Sequence, residues 1–200
     1  MKCLHSYVYE TRIQKLTKQI ILYLQEGDRV LDVGCGQGVL GERIAKHSSC
    51  PPHVEVIGLE KTKREGNLIA VTIYDGDKIP YPNKSFDIVI LADVLHHETD
   101  PHRLIDECNR VAKRLLIIKD HKIDGIFAQQ RISLLDWLAN APHGVPCLYR
   151  YNTLGEWRDF YKRHRLTVKD ELCSMALYPP ILNFFFGGRL QYFAVLREAS

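Results

Sequence analysis

Apolar side chains recur three and four residues apart at Ile13, Leu16, Ile20 and Leu24. That spacing is the stripe of an amphipathic helix over Tyr7 to Leu24, which Gly27-Asp28 ends. Beyond it the apolar period switches repeatedly between helix and strand. Short apolar runs predict strands at Arg29 to Val33, Val54 to Leu59, Ile69 to Tyr74, Phe86 to Leu91 and Leu115 to Ile118. The continuous run FDIVIL, beginning at Phe86, suits a strand buried on both faces. Helical patterns fall between, from Val39 to about Lys46 and from Asp100-Pro101 to about Ala112, with proline at a tolerated first-turn position. Further helical stretches around Ile126 to Leu138 and Leu154 to Tyr161 flank a loop, Asn140 to Asn152. Leu166 to Cys173 and Gln191 to Arg197 read as the last two strands, joined by an apolar loop.

Strands alternating with helices predict an α/β fold, a mostly parallel sheet with helices on both faces. No linker divides residues 1–200, so one domain is expected. The tightest connection joins the second and third strands. Ile69 follows Glu60 by only nine residues, fewer than a parallel crossover ordinarily uses. A turn or loop should replace the helix there.

The chain has 200 residues and a formal net charge of +3, too little to argue for nucleic acid or an anionic membrane on its own. The cysteines Cys3, Cys35, Cys50, Cys108, Cys147 and Cys173 form no C-x-x-C pair. Reduced thiols in a cytoplasmic protein are the expectation. The N-terminal residues lack the apolar core of a signal peptide, and no run is apolar enough to span a bilayer. The sequon at Asn83 is then a chance match.

The most informative stretch is Val30-Leu-Asp-Val-Gly-Cys-Gly-Gln-Gly38. A strand runs into a turn where glycine lets backbone approach a ligand, and a helix N-terminus follows. The dinucleotide fingerprint needs its third glycine at position 39, which is valine. Asp32, in the strand before the turn, suits a positively charged ligand group better than a pyrophosphate.

VLDVGCGQG resembles the first motif of class I S-adenosylmethionine-dependent methyltransferases. VIGLE, ending in Glu60, resembles that family's second strand with its ribose-binding acid. YDGDKIPYPNKSFDIVILADVLHH resembles the corresponding segment of the ubiquinone/menaquinone-type small-molecule methyltransferases, and LIDECNRVAKRLLIIK the helix and fifth strand that follow. The resemblance covers about residues 10–120. It implies a Rossmann-like, doubly wound, seven-stranded sheet, mostly parallel, with the last strand antiparallel. It also implies S-adenosylmethionine as cofactor, with S-adenosylhomocysteine as product. The cofactor residues it implies are Asp32, Gly34, Cys35, Gly36, Gly38, Glu60, Lys61, Asp75, Gly76, Asp77 and Ala92. Among them Asp75 would meet the adenine amine and the Gly76 amide the ring.

Methyl transfer is an in-line displacement, so the protein works by positioning and by excluding water. A base is needed only where the acceptor must lose a proton. After the fourth strand, Asp93 and His97 would share one face if that stretch is helical. His97 also falls where phosphoethanolamine-type methyltransferases, which share the D-x-x-x-H spacing, place a catalytic histidine. His121, after the fifth strand, is the other candidate. His96, His97, Glu98, Asp100 and His102 have a metal-like composition, but neighbours diverge on a helix, so no metal is expected. Residues 121–165 are expected to cover the active site between the fifth and sixth strands, with His96, Trp137, His143 and Tyr151 as substrate contacts. The acceptor expected is a small molecule, apolar or aromatic, methylated at oxygen, nitrogen or carbon. Two other readings stay open. The apolar stretch 178–186 would suit a partner or a membrane surface, as in a non-catalytic cofactor-binding subunit. The basic residues Arg158, Lys162, Arg163 and Arg165 would suit an RNA methyltransferase, although no N-P-P-Y motif is present.

Overall fold

The computed structural model describes residues 2–140 and 147–199. Its seven strands are β1 (Arg29–Val33), β2 (Glu55–Glu60), β3 (Val71–Ile73), β4 (Phe86–Ala92), β5 (Ala112–His121), β6 (Leu166–Leu172) and β7 (Gln191–Glu198). They form one sheet in the order β3-β2-β1-β4-β5-β7-β6. The first five strands are parallel, and β7 runs antiparallel between β5 and β6. This is the doubly wound, Rossmann-like sheet that the sequence predicts. The chain leaves β1 toward β2 on one side and β4 on the other. The crevice at the carboxyl ends of β1 and β4 is therefore the place where such sheets bind ligands.

Period-two alternation divides the core in two. Val30, Ile88 and Ile90 point to one face, where α1 (Lys2–Ile21) lays down Ile13, Leu16 and Ile20 beside α2 (Val39–Ala45). Leu31, Val33, Val89 and Leu91 point to the other, under α3 (Pro101–Val111) and α5 (Leu154–Arg163). Asp100 caps α3 by accepting from the Arg103 amide at 3.0 Å, with Pro101 in the first turn. Thr153 and Glu156 close a capping box that starts α5.

The β2–β3 connection has no helix, as its length requires. It is tied to the glycine turn instead: the Leu68 amide donates to the Gln37 carbonyl at 2.9 Å, and the Gln37 side chain donates to the Glu65 carbonyl at 2.8 Å.

Two expectations are corrected. Strand β5 does not stop at Ile118. Lys119, Asp120 and His121 complete it, paired with β7 and buried. Polar residues read as the end of a strand, but here Lys119 pairs with Asp93 and Asp120 with His96. The apolar connection before β7 is not all loop, because Pro180–Phe186 form a short helix, α6. Within 121–165, α5 is a core helix, with Trp157, Phe160 and Tyr161 buried. Among the described residues of that segment, α4 (Ala128–Asn140) reaches the carboxyl edge, where Asp136 meets His96, His97 and Tyr151. No helix among the described residues is long and apolar enough to cross a membrane. Cys35, Cys50, Cys108 and Cys173 are free thiols.

Candidate active site

The turn after β1 is built on three glycines in the left-handed region, with φ of 69° at Gly34, 59° at Gly36 and 82° at Gly38. A β-carbon at Gly34 would meet Val94 at 2.7 Å, and one at Gly38 would meet Ile69 at 2.4 Å. Those two glycines are required by packing. A β-carbon at Gly36 would meet nothing within 4 Å, so Gly36 faces open space.

The Gly36 amide donates to Glu60 Oε2 at 2.9 Å and the Lys61 amide to Glu60 Oε1 at 2.8 Å. Glu60 is thus fixed at the end of β2 with lone pairs left for hydroxyl donors. Asp32 is buried in β1, and its Oδ2 has no hydrogen-bond partner among the described residues. Burial, and then the Glu60 charge, push its carboxyl up to about 7. The Cys35 thiol packs against Gly58 and is pushed up to about 12, first by burial. The Asp77 amide donates to Asp75 Oδ1 at 2.9 Å, which fixes the Asp75 carboxylate. Lys61 lies over Gly76 and reaches Glu98 at 2.5 Å, while Asp77 pairs with Arg103. Ala92 ends β4. These groups fit S-adenosylmethionine: an unsatisfied buried carboxylate for a cationic group, a fixed acid for ribose hydroxyls, and open backbone between them.

The end of β4 departs from the sequence reading. Asp93 and His97 do not share a helical face. Asp93 adopts φ 58°, and only Leu95–His97 form a 3₁₀ turn. Asp93 pairs instead with Lys119 Nζ at 2.5 Å and with Arg12 of α1. Burial alone would raise its carboxyl, but Lys119 and Arg12 hold it well below the usual range. His121 Nε2 stands 3.9 Å from it. His121 is pushed down to about 3, first by burial and then by Lys119, so it is neutral at physiological pH.

The two adjacent histidines find other partners. His96 Nδ1 bonds Asp120 Oδ1 at 2.6 Å, and Asp136 Oδ1 of α4 lies 3.6 Å from His96 Nε2 and 3.5 Å from His97 Nε2. The Tyr151 hydroxyl donates to Asp136 Oδ2 at 2.7 Å. Burial would depress His96, yet Asp120, Asp136 and Asp93 raise it to about 10. Asp136 is held at about 2 against its burial by the His96 and Tyr151 hydrogen bonds.

Of the expected substrate contacts, His96 and Tyr151 are buried in this cluster and Trp137 is half-exposed beside it. His143 lies outside the described residues. Arg12, Lys119, Asp120 and Asp136 join the site without having been singled out. Asp120 and Lys119 adjoin His121 in sequence. Arg12 and Asp136 carry no local signal, since each sits on a helix that the fold brings over the sheet edge. Next to His96 a cleft of about 150 Å³ is lined by Leu95, Pro101, Trp157 and Phe160, with Glu98, His102, Arg150 and Asn152 at its polar side.

A family model described as a methyltransferase domain matches residues 5–159. The chain belongs to the methyltransferase domain family. The ubiquinone biosynthesis O-methyltransferase of Coxiella burnetii is 32% identical over 119 residues, which are 56% of this chain and 49% of that protein. The ubiquinone/menaquinone biosynthesis C-methyltransferase UbiE of Ralstonia pickettii is 26% identical over 144 residues, covering 64% and 59%. The chain thus spans about half the length of the curated relatives it matches. Among solved structures, a putative methyltransferase in complex with the Haloferax volcanii Trm112 methyltransferase activator superposes with a TM-score of 0.67 at 16% identity, over 96% of this chain and 91% of that one. The [4+2]-cyclase SpnF gives 0.65 at 16% identity, over 94% and 81%. At such identities the likeness concerns the fold, which hosts more than one chemistry.

Proposed function

We propose that this chain methylates a small apolar or aromatic molecule at oxygen, nitrogen or carbon. The observation that carries the reading is the His96–His97–Asp136 cluster at the carboxyl edge of the sheet, beside the small cleft under Leu95, Trp157 and Phe160. Cofactor, acceptor and polar groups then meet at one edge, and the cleft has room for a ring but not for a macromolecule.

When bound, S-adenosylmethionine supplies an electrophilic methyl group with a good leaving group. The chain's own residues do the rest. Asp32, Glu60 and Asp75 hold the cofactor. Lys119 and Arg12 hold Asp93, which fixes the end of β4. His97 and His121 flank the acceptor atom, and a proton leaving that atom passes into the histidine–carboxylate cluster. Trp157 and Phe160 exclude water. His121, held neutral, contributes polarity without adding charge.

One further observation supports a surface contact through 178–186. Ile181 and Phe184 are 77% and 78% exposed, and Phe185 is half-exposed beside them. Such a patch suits a partner or a membrane surface from which an apolar acceptor is drawn. The RNA reading gains nothing comparable, since Arg158 is already paired with Glu171.

The test is transfer of a labelled methyl group from S-adenosylmethionine to a panel of phenols, quinols, aromatic amines and RNA. The reading expects label in at least one small aromatic acceptor and none in RNA. Label in RNA alone would refute it.

A further inference from the structure

We infer that His96, His97 and Asp136 form a binding site for one divalent transition ion of the zinc class. The inference begins with convergence. Neighbouring side chains diverge on an α-helix, but these histidines lie on a 3₁₀ turn, and their ring centroids are 4.1 Å apart. Asp136 meets them from a different element, α4. One donor atom from each of the three residues lies within 4.8 Å of the others. The Asp136 oxygen is 3.6 Å from His96 Nε2 and 3.5 Å from His97 Nε2. Ligands held tetrahedrally at about 2.0–2.1 Å from zinc stand roughly 3.3–3.4 Å from one another. The donors are therefore close to coordinating distance with small adjustments.

The groups behind the donors are arranged as a metal site requires. His96 bonds Asp120 through Nδ1, which leaves Nε2 for the ion. Tyr151 donates to Asp136 Oδ2, and Oδ1 faces the histidines. A second, independent observation is charge. Asp120 is buried, and its Oδ2 has no hydrogen-bond partner among the described residues. Two buried carboxylates, Asp120 and Asp136, thus surround the histidines and favour a cation among them. A proton on His96 and a metal ion compete for that place.

A neighbouring triad, Asp93, His96 and His121, also has convergent donors. It is the poorer site, because Lys119 and Arg12 already neutralise Asp93 and would repel a dication. Two imidazoles and one carboxylate suit zinc, manganese or iron and not magnesium or calcium, which favour oxygen-only shells. Three protein ligands leave a coordination position open, and His97, the most exposed of the three, lies at the rim. The ion's role toward an acceptor oxygen or nitrogen rests on the proposed function; the site itself does not.

The experiment uses the full chain stripped with a chelator and titrated with Zn²⁺ and, separately, with Mg²⁺. S-adenosylhomocysteine binding is measured in the same samples. One equivalent of Zn²⁺ should bind and Mg²⁺ should not compete. His97→Ala and Asp136→Asn should weaken Zn²⁺ by more than about 100-fold, and Tyr151→Phe by about tenfold. His97→Ala should leave cofactor affinity within about twofold. His53→Ala, an exposed histidine just before β2 and at the end of that strand opposite Glu60, should leave Zn²⁺ affinity unchanged. The inference is overturned if the folded, cofactor-binding wild type takes up no Zn²⁺, or if His97→Ala and Asp136→Asn bind it as tightly as wild type. Zn²⁺ uptake in a protein that binds no S-adenosylhomocysteine would leave the site standing and remove the methyltransferase reading.

Discussion

Lys119, fully buried on β5, holds the Asp93 carboxylate at 2.5 Å at the point where β4 ends. Burial, helped by the Arg12 charge, lowers the lysine's own affinity for its proton, and Asp93 and then Asp120 oppose that shift. The two residues anchor the edge where the proposed cofactor and acceptor sites meet. Removing one partner leaves the other charge buried with less compensation. Lys119→Met should destabilise the fold by about 3 kcal/mol, a fall in Tm of roughly 6–12 °C for a chain of this size. Thermal unfolding followed by circular dichroism checks this. An unchanged Tm would mean that Arg12 alone satisfies Asp93.

The glycines of the turn predict a contrast. Gly38→Ala places a methyl 2.4 Å from Ile69 and also strains a left-handed residue, so both stability and cofactor binding should fall. Gly36→Ala meets no neighbour. It should cost only about 1–2 kcal/mol of stability while reducing S-adenosylhomocysteine affinity at least about tenfold. Denaturant unfolding and calorimetry on the two variants separate packing from ligand contact.

Asp32 gives the cofactor site a pH dependence. Its carboxyl is raised from 3.8 to about 7, by burial first. Between those values the folded chain keeps a proton that the unfolded chain has lost. Stability of the cofactor-free protein should therefore decline as pH rises from about 4 to 7 and level off above. A cationic cofactor group needs the ionised form, so binding should tighten by up to about tenfold from pH 6 to pH 8. Asp32→Asn should remove both dependences. Calorimetry at several pH values shows whether the variant's affinity is flat.

His97→Ala should slow methyl transfer by about 100-fold or more and leave cofactor affinity nearly intact, because His97 meets Asp136 of α4 rather than Asp32, Glu60 or Asp75. Single-turnover kinetics with the best acceptor found checks this. Equal loss of cofactor binding would place His97 in the wrong site.

Much of this was legible before the coordinates. Strong periodicity placed every strand, and the short reach from Glu60 to Ile69 foretold a crossover without a helix. That Gly36 and Glu60 meet beside Asp32 at the ends of β1 and β2 was legible through the resemblance to the methyltransferase motifs. The acceptor side was less so. Lys119 and Asp120 looked like the end of β5 because polar residues interrupt an apolar run; the pairing with β7, Asp93 beside Lys119 and His96 beside Asp120 explain their burial. The Asp93–His97 pairing failed because the backbone at Asp93 turns left-handed. Arg12 and Asp136 are distant in sequence from the residues they meet, and no local pattern reports such contacts.

The most direct test of the central claim is titration calorimetry of the purified chain with S-adenosylhomocysteine, with NAD as control and Glu60→Ala beside the wild type. The account predicts one cofactor per chain at about micromolar affinity, no NAD binding, and at least a tenfold loss in Glu60→Ala, where two backbone amides lose their acceptor. A folded wild type that binds neither ligand, or binds NAD in preference, would contradict it.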